Sequence, residues 1–377
     1  MTISGLRPRL AALITAILAC VSLLSLSSAP AWAKAGSITE FPIPTKSAPI
    51  AITAGPDRAL WFTEFTNGAG AIGRITTQGN FTVFPFPTAS AGVSGITAGP
   101  DGNLWFVFSS VNQIGRITTA GVITVFPIPT ANSGPSAITA GPDGNLWFTE
   151  VGGNQIGRIT PSGSITTFPI PTSGSGPEGI TAGPDGNVWF TESGGNKIGR
   201  ITPSGSITEF PTPTKSSGPW GITSGPDGNL WFTEVVGKIG RITTSGSITE
   251  FRIHTTGSDP LGITSGPDGN LWFTEGAGNR IGRITPTGSF TEFKIPSTCG
   301  YPDGCGPIGI TSGPDGNLWF TAFDGNNIWR LTPSGSFTGA FHTPTKTSRP
   351  YSITVGPDGN LWFTEYIGNK IGRLSMQ

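Results

Sequence analysis

The ten residues GPDGNLWFTE at positions 141–150 return letter for letter from positions 225, 266 and 356. Copies with one or two changes begin at 99, 183 and 313, and a looser one, GPDRALWFTE, begins at 55. Their tryptophans are Trp61, Trp105, Trp147, Trp189, Trp231, Trp272, Trp319 and Trp362, spaced 44, 42, 42, 42, 41, 47 and 43 residues apart. A chain repeating at this interval builds one supersecondary unit per period. Each unit must lean on its neighbours to bury its apolar surface.

One full unit, residues 134–172, reads GPSAITAGPDGNLWFTEVGGNQIGRITPSGSITTFPIPT. It divides into four short strands, named a to d: around AIT, LWFTE, QIGRIT and SITTFPIP. Pro-Asp-Gly-Asn, Gly-Gly-Asn and Pro-Ser-Gly separate them, and each is a turn sequence. The turns are too short for crossover helices, so the strands form an antiparallel meander.

The run LWF is apolar without alternation, as in a strand buried on both faces. Each sheet must then pack against a neighbour on either side, and sheets set radially around an axis do so. The expected fold is all-β: a β-propeller of four-stranded antiparallel blades. The glycine of IGRI is read as permitting close backbone approach. In strand d the prolines fall two apart, as in Pro169 and Pro171, so both missing N–H groups lie on one edge. That edge must be unpaired, which makes d the outermost strand.

SITEFPIPT (37–45) reads as a strand d with no a, b or c before it, and KIGRLSMQ (370–377) as a strand c with no d after it. The first strand is expected to complete the last blade. That gives eight blades in a single domain over residues 34–377. A linear solenoid offers no reason for such complementary ends.

Residues 1–33 differ in kind. Arg7 and Arg9 lead into an apolar run ending near Leu26, and Ala31-Trp32-Ala33 is an A-x-A cleavage pattern. This reads as a secretory signal peptide, with the mature protein secreted or periplasmic/extracellular and not stably inserted in a membrane. The full chain has 22 basic and 22 acidic residues, and losing both leader arginines leaves the mature chain slightly acidic. With no basic stripe, nucleic acid is excluded as a partner. Cys299 and Cys305, within TCGYPDGCGP, are expected to form a disulfide in an exported protein. Asn80-Phe81-Thr82 matches a glycosylation sequon.

The unit GP-x-GIT-x-GPDGNLWFTE-xxGNKIGRITPSGSITEFPIPT resembles the repeat of the virginiamycin B lyase (streptogramin lyase) family, over residues 36–377. It lacks the WD dipeptide of WD40 units. The resemblance implies a propeller of seven blades that opens a cyclic depsipeptide at its ester by elimination, with Mg2+ as cofactor. It also implies histidines just after the proline that opens strand a, one motif having an acid before that proline. The matching positions here are Ile50, Ser94, Ser136, Glu178, Trp220, Leu261, Ile308 and Tyr351. None is histidine; Asp259-Pro260-Leu261 keeps the acid and loses the imidazole. The two histidines of the chain, His254 and His342, fall in strand d, at the rim.

Loops d–a and b–c lie at one end of a propeller, and turns a–b and c–d at the other. The d–a residues vary most, which marks a binding face. Glu178, Trp220, Asp259 and Tyr351 are therefore the candidate ligand-binding residues. Trp220 and Tyr351 could stack an apolar or sugar ring, and Glu178 and Asp259 could hold a cation or accept hydrogen bonds. The glutamates closing WFTE (Glu64, Glu150, Glu192, Glu234, Glu275 and Glu365) are expected to pair with the Arg or Lys of strand c. Two functional readings stand. One is a monomeric, non-enzymatic module for a small-molecule or cell-envelope ligand. The other is a lyase without the family's histidines, using Tyr351 or Glu178 as base, with Arg349 lowering the tyrosine pKa. A calcium-holding, lactonase-type propeller is a further possibility, so the metal is left open.

Overall fold

The structure, a computed structural model, describes residues 36–65, 70–86, 92–296 and 304–376. The signal-peptide reading and Cys299 lie outside these residues. Among the described residues every regular element is a β-strand. Eight four-stranded sheets form, each in the spatial order a-b-c-d. In the unit read above the strands are Pro135–Ala140, Leu146–Glu150, Gln155–Ile159 and Ile165–Pro169.

Counted from the first complete unit, blade 8 takes its outer strand from the start of the chain. Ile38–Pro42 lies antiparallel to Lys370–Leu374, with Ile38 opposite Leu374 and Pro42 opposite Lys370. Strand a of each blade contacts strand a of the next, and blade 8 meets blade 1 in the same way. The ring is thus closed with eight blades, one more than the resemblance implies. Strand d is the outer edge throughout, as its prolines required.

The core consists of seams between blades. Trp61 of blade 1 packs on Leu104, Phe106 and Ile117 of blade 2. Trp362 of blade 8 packs on Leu60, Phe62 and Ile75 of blade 1, so the closing seam matches the others. All eight repeat tryptophans are fully buried. An indole hides ~150–250 Å², worth about 4–6 kcal/mol per seam before ordering entropy is subtracted.

The repeated turn letters also hold the indole. Trp147 Nε1–H donates to Asp143 Oδ1 at 3.0 Å, and Asn145 Nδ2 donates to Asp143 Oδ2 at 2.7 Å. Phe168 of strand d stacks on Trp147 at 5.7 Å. The Arg158 guanidinium lies 5.6 Å from the indole centroid, and its Nη1 donates to the Pro203 carbonyl of the next blade at 2.7 Å. One arginine thus caps its own tryptophan and ties two blades together.

Two sequence expectations are corrected. The glycine of IGRI does not admit a neighbouring backbone; it makes room for the phenylalanine of LWF in its own blade. A Cβ on Gly157 would lie 2.0 Å from Phe148 Cζ. The WFTE glutamates do not pair with strand c. Lys197, Lys238 and Lys370 reach outward to the strand d acids Glu209, Glu250 and Glu40, at 3.4, 2.6 and 2.5 Å. The strand b glutamates stay fully buried beneath the d–a loops. A lysine stem can carry its charge to the rim, whereas the short glutamate at the end of strand b cannot follow.

Candidate functional site

Each strand a begins with a bulge that sequence reasoning missed. Pro135 lies opposite Glu150, but Ile138 lies opposite Phe148, so Ser136 and Ala137 together face Thr149. The displaced Ala137 N–H donates to Thr149 Oγ1 at 3.1 Å, and that hydroxyl donates to the Glu178 carbonyl of the next blade at 3.2 Å. The same relay joins Gly179, Thr191 and the Trp220 carbonyl, and Gly221, Thr233 and the Leu261 carbonyl. Bulges re-aim side chains. Here they set the residue after each opening proline, or after Val93 in blade 2, at the same place in every blade, on its innermost strand.

These eight positions divide the mouth. Ile50, Ile308 and Tyr351 form a buried apolar cluster backed by Phe323 and Tyr366. Ser94, Ser136 and Glu178 form a polar arc. Ser94 Oγ donates to the Ser136 carbonyl at 3.0 Å, and Ser136 Oγ to Glu178 Oε2 at 3.4 Å. Burial pushes the Glu178 carboxyl up to about 8, against the Ser136 hydrogen bond.

The candidates fall on two sides of the ring. Glu178 and Trp220 stand on adjacent strands a: a Cβ on Gly179, the residue after Glu178, would lie 2.5 Å from the Trp220 carbonyl oxygen. Asp259 follows in the loop entering blade 6, its backbone φ at 47°. The equivalent residue is Gly134, Gly176, Gly218 or Gly306 in four other loops, each with positive φ. Burial raises the Asp259 carboxyl above the ordinary aspartate range. Trp220 is half-buried.

Tyr351 lies three blades on from Trp220, with its ring inside the apolar cluster. Ring centroids place it 6.0 Å from Phe323 and 6.1 Å from Tyr366. Its face is covered, and burial together with Tyr366 pushes its phenol further up. The tyrosine-base reading is therefore withdrawn. Arg349, its proposed activator, lies over Phe323 at 5.1 Å and 3.8 Å from Asp324. His254 and His342 are exposed on the outer rim, and His254 Nδ1 is 3.1 Å from Glu292.

Sequence reasoning placed Ser94 and Ser136 among the matching positions without choosing them as ligand-binding candidates, and it passed over Phe323 and Tyr366. The signal for Ser94 was Val107, which stands where other blades have the strand b threonine. Cys305 occupies the place of Ser133 and Ser175, buried, its N–H donating to Asn279 Oδ1 at 2.9 Å.

Among the described residues no three acid, histidine or cysteine side chains converge on one point. Magnesium asks for near-octahedral oxygen ligands, and Asp259 is followed by Leu261 where the family pattern has imidazole. A side-chain magnesium site does not fit this mouth. No helix among the described residues is long and apolar enough to cross a membrane.

The model of the virginiamycin B lyase family matches residues 30–190 and again 173–377. Among solved structures, a streptogramin B lyase is 40% identical, with a TM-score of 0.66, over 78% of this chain and 96% of that one. Virginiamycin B lyase from Staphylococcus aureus is 45% identical, with a TM-score of 0.66, over 76% of this chain and 96% of that one. A catalytically inactive histidine-to-alanine variant of the S. aureus enzyme, with quinupristin, is 37% identical at a TM-score of 0.67, over 90% and 99% of the two chains. The search of curated proteins finds no match. With the family model spanning nearly every blade, the chain belongs to the virginiamycin B lyase family.

Proposed function

We propose that the protein is an exported, monomeric binding module that takes a small-molecule or cell-envelope ligand at the d–a mouth of the ring. One observation carries this reading. All eight positions that match the family's histidine motif present other chemistry: an apolar cluster, a serine arc, one carboxyl, one buried leucine and one half-buried indole. Apolar side chains with a few placed polar groups are the composition of small-molecule sites.

A second reading keeps elimination, with Glu178 as base. Its carboxyl at about 8 suits proton abstraction near neutral pH, and its position beside Ser136 faces the mouth. Quinupristin separates the two. Calorimetry of the mature protein with quinupristin and magnesium reports binding, and chromatography of the same mixture reports ester opening. Saturable binding with an intact ring supports the module. Opening above the protein-free control, lost in Glu178→Gln, supports the lyase. Neither binding nor opening removes this depsipeptide class as the ligand.

A further inference from the structure

Trp220 differs from every other tryptophan in the described structure. Each of the eight repeat tryptophans has a phenylalanine against its ring and an arginine over it, as Trp147 has Phe168 and Arg158. Trp329, in strand c of blade 7, stacks on Phe320 at 6.4 Å. Among the described residues no ring stacks on Trp220 and no cation lies over it. Its backbone is nevertheless fixed, since Thr191 Oγ1 donates to its carbonyl at 2.8 Å. Among the described residues, then, Trp220 is a half-buried indole on a fixed backbone at the start of strand a of blade 5, with neither a ring nor a cation against it.

Its flanks are acidic. Glu178 precedes it on the adjacent strand a. Asp259 follows in the next d–a loop and holds a left-handed backbone where four other loops use glycine. That conformation costs a non-glycine residue of order 1 kcal/mol or more, and such strain gathers at functional sites. Among the described residues the Asp259 carboxylate has no hydrogen-bond or ion-pair partner; its backbone carbonyl alone is engaged, by Gly276 N–H at 3.1 Å. The nearest base in sequence on these loops, Lys215, is exposed. Arg349 stands on blade 8, committed to Phe323 and Asp324.

An indole face attracts cations, most strongly where water is excluded. The carboxyls of Glu178, on the preceding strand a, and Asp259, in the following loop, add attraction of the same sign once ionised, and a cation held near them favours that ionised form. We infer that Trp220, Glu178 and Asp259 form a site for an organic cation, a quaternary or protonated amine, with the alkylammonium head on the indole and the carboxyls on either side. A neutral sugar would also stack on tryptophan, and methyl glucoside distinguishes that case from a cation. The inference rests on the binding reading above and names the ligand's chemistry.

The test uses mature protein carrying 5-fluorotryptophan, with the Trp220 fluorine resonance assigned as the one missing in Trp220→Phe. Choline is the probe, and dimethylbutanol, its neutral carbon isostere, is the control. Choline is expected to shift the Trp220 resonance saturably while dimethylbutanol leaves it in place. Asp259→Asn and Glu178→Gln should each weaken the choline response about fivefold, the factor corresponding to about 1 kcal/mol of lost attraction. The other tryptophan resonances should hold their positions in both variants, which reports that the ring is intact. Equal shifts by choline and dimethylbutanol would overturn the inference while leaving a binding mouth. So would a shift by methyl glucoside alone, or silence at Trp220 toward choline. Quinupristin binding, measured separately, decides the broader reading in each case.

Discussion

Ser94 Oγ donates to the carbonyl oxygen of Ser136 at 3.0 Å, across the seam between blades 2 and 3. In the seven other seams that carbonyl position is held by the strand b threonine, as when Thr63 reaches the Ser94 carbonyl at 3.2 Å and Thr364 the Ile50 carbonyl at 3.0 Å. Blade 2 has Val107 there, which has no donor. The serine at the second position of strand a in blade 2 has taken over a structural bond.

This makes the two positions energetically coupled. Ser94→Ala leaves the buried Ser136 carbonyl without its donor and should cost about 1–2 kcal/mol. In a Val107→Thr background the threonine supplies the bond, and the same change should cost less than about 0.5 kcal/mol. Urea unfolding of the four proteins measures the coupling. Equal costs in both backgrounds would show that the seam does not use this bond.

Glu40 joins the first strand to the end of the chain. Its carboxylate accepts from Lys370 Nζ at 2.5 Å, and from Thr345 N–H and Oγ1 at 2.6 Å each. Glu250 does the same within blade 5, with Lys238 and Thr214. The local bonds match, but only non-covalent contacts hold residues 38–42 in place. Glu40→Ala should therefore lower the unfolding midpoint more than Glu250→Ala, by about 1 kcal/mol. Removing residues 36–45 should expose the 370–374 edge and produce oligomers on size exclusion. A monomeric, fully stable truncation would refute closure by this strand.

The ring itself was legible because the tryptophan spacing, the paired prolines and the complementary ends each constrain topology without reference to distant side chains. The bulge was not, because it depends on Thr149 capturing a displaced N–H, and a threonine in a strand has no sequence mark for that. The acids failed for another reason. Glu192 does lie opposite Lys197 in register, so pairing was a fair expectation. Depth decided otherwise: the lysine goes to Glu209 near the surface, and Glu192 stays in the dry end of the strand. Of the mouth, Glu178, Trp220 and Asp259 were singled out because they break the repeat where loops vary. Tyr351 breaks it too, but it fills the core of a cluster.

The acids set a pH dependence. Burial pushes Glu150 to about 7, Glu234, Glu275 and Glu365 to about 8, and Glu192 to about 9, with the strand d acids Glu209, Glu250, Glu292 and Glu40 reinforcing the last four. A raised folded pKa means that the native state keeps protons which the unfolded chain releases above about 4.5. That stability is complete below about 4.5 and is lost as pH rises through 7–9. The strand d partners are lowered, because Lys or His and the loop threonines outweigh their burial, so their contribution is lost on the acid side. The thermal midpoint should peak near pH 5 and fall toward pH 9. Glu275→Gln should flatten that fall, since its amide has no proton to lose. A midpoint that rises between pH 5 and 9 would reverse the assignment.

Asp259 offers a separation of stability from function. Its φ of 47° is one that glycine adopts freely, and glycine holds the equivalent place at 134, 176, 218 and 306. Asp259→Gly removes both backbone strain and a half-buried carboxyl, and should raise stability by about 0.5–1 kcal/mol despite glycine's more flexible unfolded chain. If the carboxyl is kept for a ligand, the same substitution must weaken choline binding at Trp220 while the midpoint climbs. Arg349→Gly, with φ of 51° at the matching place in blade 8, relieves similar strain but forfeits the stack on Phe323 and the approach to Asp324. Its stability gain should be smaller, and it should leave choline binding unchanged, because Arg349 stands across the mouth from Trp220. Denaturation and fluorine titration on the two variants supply all four numbers. A loss of stability in Asp259→Gly would mean that the carboxyl is part of the scaffold and that the strain has a structural cause.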